Sequence, residues 1–154
     1  MKLFITLIAV IFSFAQLSHA QFVIIGNEDL PKEQLTIEEI RDIFSGETGT
    51  WDNGDKIRFS ERKENTSYLM EFYKELGLHR TFFRRNRVKK VNEDPSRLGS
   101  IFKSDVRILT FVSETSGAIG VVSESAANLF SGPLKTIQIK SKSTAEDDSN
   151  AEKK

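Results

Sequence analysis

The stretch from Leu35 to Ser67, LTIEEIRDIFSGETGTWDNGDKIRFSERKENTS, constrains this chain most. It holds a helix, a stop, a turn, a strand and a polar run, in that order. Thr36 can cap the helix, and Glu39 stands at the three-residue spacing of a capping box. Ile37, Ile40, Ile43 and Phe44 fall on one helical face. Gly46 follows the last apolar residue and suits the left-handed position that ends a helix. Thr48 to Gly54 is turn chemistry around one large side chain, Trp51. Ile57-Arg58-Phe59 reads as a short buried strand. Ser60 to Ser67 is almost wholly polar and leads into a second, amphipathic helix. A strand, a polar loop and a helix N-terminus in succession make an anion-binding arrangement in α/β proteins.

The flanking segments supply the rest of a sheet and its cover. Phe22-Val23-Ile24-Ile25, bounded by Gly26-Asn27, predicts a buried strand in a sheet covered on both faces. Glu28 to Gln34 reads as a connector. Leu69, Phe72, Tyr73 and Leu76 share a helical face with Met70 at its edge, Thr66 or Asn65 can cap that helix, and Gly77 ends it. Leu78 to Val91 predicts a third helix. It is basic at Arg80, Arg84, Arg85, Arg87, Lys89 and Lys90, a pattern read as a solvated face, and Phe82 and Phe83 supply its apolar contact. Pro95-Ser96 with Asp94 as cap predicts another helix start, with Leu98, Ile101 and Phe102 as a short apolar face. Val106 to Val112 reads either as a helix capped by Asp105 or as a strand. Ala118 to Val122 alternates small and large residues and predicts a strand that another backbone approaches closely. Ser125 to Phe130 predicts a short helix, and Leu134 to Lys140 an edge or final strand.

The ends bear on where the chain works. Lys2, the apolar run Leu3 to Phe14 and Ser18-His19-Ala20 have the form of a signal peptide over residues 1–20. A membrane anchor is the other reading, but the run is short for a span, which needs ~20 residues. The expected mature chain is exported to the periplasm. With no Cys it has no disulfides, so residues 21–140 must hold together by their core alone. Ser141 to Lys154 is charged and Ser-rich and is expected to be disordered. The 22 Lys and Arg balance the 22 Asp and Glu, which argues against nucleic acid as a partner. Metal sites rich in thiols are excluded, and no cofactor is implied.

Three pieces taken together, LTIEEIRDIFSGETGTW, SERKENTS and TSGAIGVV, resemble the phosphate-type solute-binding proteins of ABC transporters, in particular the small stand-alone domains related to them. In that family a capped helix ending in IF-x-G leads through a variable turn to a Trp. A strand then ends in an Arg-containing loop rich in Gly, Ser and Thr, and a later GAIGY-like segment forms a central strand. The match runs from about Leu35 to Val122. It implies a type II periplasmic-binding-protein-like α/β fold, here a single lobe with a central, mostly parallel sheet and flanking helices. It also implies a small oxyanion as ligand, phosphate first, and an ABC permease as partner. The family's Arg-x-Asp-Gly-Ser-Gly-Thr loop stands here as Arg62-Lys63-Glu64-Asn65-Thr66-Ser67, with the Arg and the hydroxyls but without the glycines.

The candidate ligand-binding residues are therefore Ser60, Arg62, Asn65, Thr66 and Ser67. Helix-start amides near Asn65 to Ser67 would point at an oxyanion, the hydroxyls of Ser60, Thr66 and Ser67 would donate to it, and Arg62 could grip two oxygens. Asn, Thr and Ser are equally at home as plain helix caps. A non-transport reading makes the chain a cell-envelope interaction module, anchored through Trp51, Phe82 or Phe83, although Trp51 also reads as a core plug. A homodimer would join two lobes into one cleft. An enzyme is disfavoured. His79 is the one histidine after the expected cleavage point, and G-x-S-x-G, H-E-x-x-H and P-loop patterns are missing from the sequence.

Overall fold

The computed structural model describes residues 21–140. The expected signal peptide and C-terminal tail lie outside the described residues. Six strands form one sheet among these residues: β1 (Phe22–Asn27), β2 (Gln34–Thr36), β3 (Arg58–Arg62), β4 (Ser100–Phe102), β5 (Ala118–Ser123) and β6 (Leu134–Lys140). Their order across the sheet is β2-β6-β1-β5-β3-β4. The pairs β2–β6, β3–β5 and β3–β4 are parallel, and β1 runs antiparallel to both of its neighbours. The helices are α1 (Ile37–Ser45), α2 (Ser67–Glu75), α3 (Arg80–Lys90), α4 (Asp105–Glu114) and α5 (Glu124–Leu129), with a 3-10 turn at Pro95–Leu98.

Alternation along the strands sorts the core into two layers. Ile24, Phe59, Ile119 and Val121 face α1, α2 and α3, where they meet Phe44, Leu69, Phe72 and Phe83. Ile25, Ala118 and Val122 face the other way, onto Ile108, Leu109 and Val112 of α4. The sheet is covered on both faces, as the apolar run of β1 implies. Phe72 is the hub of the first layer, with ring centroids of Phe44 at 4.9 Å, Tyr73 at 5.1 Å and Phe22 at 5.3 Å.

The Leu35–Gly54 segment folds as its residues dictate. Thr36 Oγ1 accepts from the Glu39 amide, and Glu39 accepts from the Thr36 amide, closing the capping box. Gly46 ends α1 at φ 78°, a backbone region that favours glycine. Trp51 is buried and its indole N–H donates to the Gly117 carbonyl at 3.0 Å, so it plugs the core and offers no docking surface.

Other expectations need correction. β2 forms where a plain connector was expected, because the Gln34–Thr36 backbone pairs with β6. This pairing also moves β6 inward, between β2 and β1, and makes β2 the edge. β3 runs on through Arg62, so Ser60 and Glu61 belong to a strand and are fully buried. Ser100–Phe102 is a strand on β3, and the apolar residues Leu98 and Ile101 are left exposed. Val106–Val112 is helical. Its cap is Ser104, whose hydroxyl accepts from the Arg107 amide, while Asp105 is the first helical residue. The small residue Gly120 admits side chains of α4 and β3: a Cβ there would lie 2.7 Å from Ser60 Oγ and 2.8 Å from an Ile108 methyl. Within α3, Arg87 is buried and Phe82 is exposed, the reverse of what a simple basic face predicts.

Candidate functional site

Parallel pairing places the C-terminal ends of β3, β4 and β5 on one edge of the sheet. Arg62 is level with Phe102, and the Lys63 amide donates to the Phe102 carbonyl at 2.7 Å. Each of these strands turns into a helix there, so the N-termini of α2, α4 and α5 converge. Amides at helix starts lack intrahelical acceptors and carry the positive end of the helix dipole.

One side chain ties these junctions together. Asp105, at the start of α4, is buried. Its Oδ2 accepts from the Ser123 hydroxyl at 2.6 Å and the Ser123 amide at 3.2 Å. Its Oδ1 accepts from the Tyr68 hydroxyl at 2.6 Å and lies 3.4 Å from Arg62 Nη1. Burial disfavours the charge on Asp105, but the bonds from Ser123 and Tyr68 and the Arg62 charge outweigh it and hold the carboxyl below its ordinary range. Tyr68 is pushed upward by burial and by its bond to the Asp105 carboxylate. The sequence signalled none of this. Asp105 reads as a cap, Tyr68 as part of an amphipathic helix, and only the sheet brings Ser123 to them.

The sequence-predicted residues divide. Arg62 ends β3, three-quarters withdrawn from solvent, between Asp105 and Glu64, whose carboxylate is 3.5 Å from Nη2. Asn65 is exposed, and its side-chain carbonyl accepts from Arg80 at 2.6 Å. Thr66 occupies the cap position of α2 but makes no side-chain capping bond. Its hydroxyl is buried without a hydrogen-bond partner among the described residues, and so is Arg62 Nε. Ser67 is the first, exposed residue of α2. Ser60 does not join them. It sits two residues before the end of β3, fully buried, with its hydroxyl 3.4 Å from the Ile119 carbonyl.

A second network holds the loop from behind. Arg80, at the start of α3, donates to the Lys63 carbonyl at 3.1 Å, to Asn65, and to the Arg62 carbonyl. It also lies 3.3 Å from Glu61 Oε1. Glu61 in turn accepts from Arg87 at 2.8 Å and from the Tyr73 hydroxyl at 2.5 Å. The loop's shape therefore depends on side chains from α2 and α3. A groove of about 450 Å³ lies further along these helices, lined by Met70, Tyr73, Leu78 and Arg80 among others. None of residues 62–67 reaches it.

No protein-family model and no curated protein matches the sequence. Solved structures do match. One, assigned as a phosphate ABC transporter substrate-binding protein with bound phosphate, from Clostridium perfringens, aligns with TM-score 0.59 at 17% identity over 77% of this chain and 44% of its own. An ABC-type phosphate transport receptor from Vibrio cholerae aligns with TM-score 0.57 at 18% identity, over 77% and 46%. PstS from Borrelia burgdorferi aligns with TM-score 0.58 at 18% identity, over 79% and 47%. The chain has the fold of phosphate-type substrate-binding proteins. It spans less than half the length of these structures. The type II binding-protein α/β architecture that the three sequence pieces imply is thus present, with the GAIGVV segment as an interior strand, β5. The described residues contain no helix long and apolar enough to cross a membrane.

Proposed function

We propose that this protein is an exported solute-binding domain that takes a small oxyanion, phosphate first, at the Arg62–Ser67 loop, and that it works beside an ABC permease. The observation that carries this reading is the open N-terminus of α2. Its cap residue makes no capping bond, and the Thr66 hydroxyl and Arg62 Nε next to it are buried without partners among the described residues. These are donors of the kind an oxyanion satisfies, and the helix dipole favours negative charge at the same point. Arg62 brings the positive charge, and Ser67 and the first-turn amides bring further donors. The phosphate named for the structures of like fold supports the choice of anion. Binding without chemistry fits this donor set, so the reading is of a receptor and not an enzyme.

A second reading has its own observation. Asp105 and Glu64 already face Arg62, and the loop has no glycine to let a ligand close to the backbone. On that reading the chain is an envelope interaction module without a complete ligand cleft. Calorimetric titration of the chain with phosphate, then sulfate, in a phosphate-free buffer separates the two. Saturable binding that Arg62→Ala weakens by ~1.5 kcal/mol or more supports the receptor. No heat and no thermal stabilisation by either anion sinks it and favours the module. Light scattering in the same buffers, with and without phosphate, reports whether two copies assemble around the ligand.

A further inference from the structure

The exposed face of α3 has no role in the anion loop. α3 has the sequence RTFFRRNRVKK and contains no acidic residue. Phe83 and Arg87 turn into the core. At 100° per residue the opposite side presents Thr81, Phe82, Arg85, Val88 and Lys89, with Arg84 on its flank, and all six are exposed. Phe82 is 42% and Val88 62% exposed, both on this face and between its cations. The remaining basic residues of this helix are engaged: Arg80 and Arg87 with Glu61, and Lys90 with Glu47. Arg84, Arg85 and Lys89 make no ion pair among the described residues. Leu78 and Met70, 39% and 56% exposed, line the groove near the start of the helix.

Cations without counter-ions, interleaved with exposed apolar side chains along one outward helix face, are the chemistry of an interfacial helix on an anionic lipid surface. We propose that α3 is a docking surface for an anionic membrane, lying parallel to it with Arg84, Arg85 and Lys89 at the headgroup phosphates and Phe82 dipping below them. Charge complementarity sets the choice of occupant. Three free cations spread along a helix suit a surface of diffuse negative charge, and a hydrocarbon layer beneath that surface takes up the apolar residues between them. Surface attachment of this kind is reversible and weak, because three cations and one aromatic fall short of a stable anchor.

Sedimentation of the purified full chain with lipid vesicles tests this. Vesicles of phosphatidylcholine with 30% phosphatidylglycerol, on the order of the anionic content that gives a working surface potential, are compared with pure phosphatidylcholine. The neutral vesicles measure binding through the apolar residues 3–14, and the triple variant, which keeps Met1 and Lys2, measures the charge-dependent binding of that segment. The expected result is extra binding to the anionic vesicles that weakens as salt rises from ~0.05 to ~0.5 M. The triple variant R84Q/R85Q/K89Q should lose about 100-fold of that extra affinity, since each cation near such a surface contributes a factor of about five. Phe82→Ser should lower it further without changing the salt dependence. All four side chains are exposed, and circular dichroism checks that each variant is folded. Equal binding to both vesicle types, no binding to either, or a triple variant that binds as the wild type does would overturn the proposal. Phosphate titration of the triple variant separates this surface from the anion loop, because loop binding should be unchanged in it.

Discussion

Arg87 Nη2 and Glu61 Oε1 lie 2.8 Å apart with neither side chain reaching solvent. The guanidinium also donates to the Phe44 carbonyl at 2.6 Å and stands 4.6 Å from the centre of the Phe59 ring. One helix residue thereby ties α3 to α1 and to β3. The pair is enclosed with two further partners of Glu61, namely Tyr73 and Arg80. Glu61→Gln would leave two guanidinium groups facing a neutral amide in the interior. Removing one member of a buried pair costs ~3–5 kcal/mol, because the partner stays buried and uncompensated. Urea unfolding of Glu61→Gln should show a loss of that size. A loss below ~1 kcal/mol would mean that water reaches the network and screens it as it screens surface pairs.

Asp105 gives a prediction with a defined sign in pH. Its folded pKa lies below the ordinary value of 3.8. A group of this kind contributes stability that is complete above the unfolded pKa and is lost as pH falls through the folded one. Thermal unfolding followed from pH 7 downward should therefore fall off steeply only below about pH 4. Asp105→Asn keeps the shape but loses the charge that Ser123, Tyr68 and Arg62 satisfy. It should be less stable at pH 7 by ~3 kcal/mol, the scale of a charge-assisted hydrogen bond. The two proteins should converge in stability as pH falls through the folded pKa of Asp105. A constant gap at every pH would show that the Asp105 charge is not what stabilises the junction.

Gly120 tests the packing of α4 on the sheet. It sits mid-strand in β5 and needs no special backbone angle, so its absent side chain is the reason for it. A methyl group there would press on Ser60 Oγ, Ile108 and Val112 together. Gly120→Ala should destabilise the fold by ~1–3 kcal/mol through overpacking. Gly120→Ala combined with Val112→Ala should recover part of the loss if the clash lies with α4. No recovery would assign it to the two closer contacts, Ser60 Oγ and Ile108.

These sites show what the sequence made legible and what it hid. The capping box of Thr36 and Glu39, the glycine stop at Gly46 and the Trp51 plug are local chemistry, and each is found where its spacing puts it. An unbroken apolar run located β1, small residues alternating with large ones located β5, and period located the helices other than α4, which read equally well as a strand. β2 and β4 were hidden for the opposite reason. Each is a three-residue edge strand whose pairing is made by backbone groups, which carry no side-chain signature. The end of β3 was hidden because Ser60 and Glu61 are polar, and polar residues in a strand interior are rare without partners. The partners of Glu61, namely Arg87, Tyr73 and Arg80, come from helices later in the chain, that of Ser60 is the Ile119 carbonyl of β5, and nothing local announces them. Of the candidate site, the Arg62–Ser67 loop and its helix start were legible as a strand–loop–helix junction. Asp105 was not, since its role exists only where three strand ends meet.

Arg80 joins the buried network to the candidate loop and so separates structural from binding roles. It reaches the carbonyls of Arg62 and Lys63 and the side chain of Asn65, while its own side chain is nearly enclosed. Arg80→Ala should release the loop from α3 but leave Glu61 paired with Arg87. The expected stability loss is smaller than for Glu61→Gln, ~1.5–3 kcal/mol for hydrogen bonds to a charged group. Amide exchange at Lys63 to Ser67 should quicken well beyond what the change in global stability explains, because local opening then requires no break in the core. On the oxyanion reading, phosphate affinity falls with it, since ordering the loop becomes part of the work of binding. Arg80→Lys restores a charge but not the forked geometry that serves three acceptors, so it should rescue stability better than it rescues affinity. Equal rescue of both would show that Arg80 acts as a charge alone, and exchange rates that track global stability would show that the loop is held by its own residues.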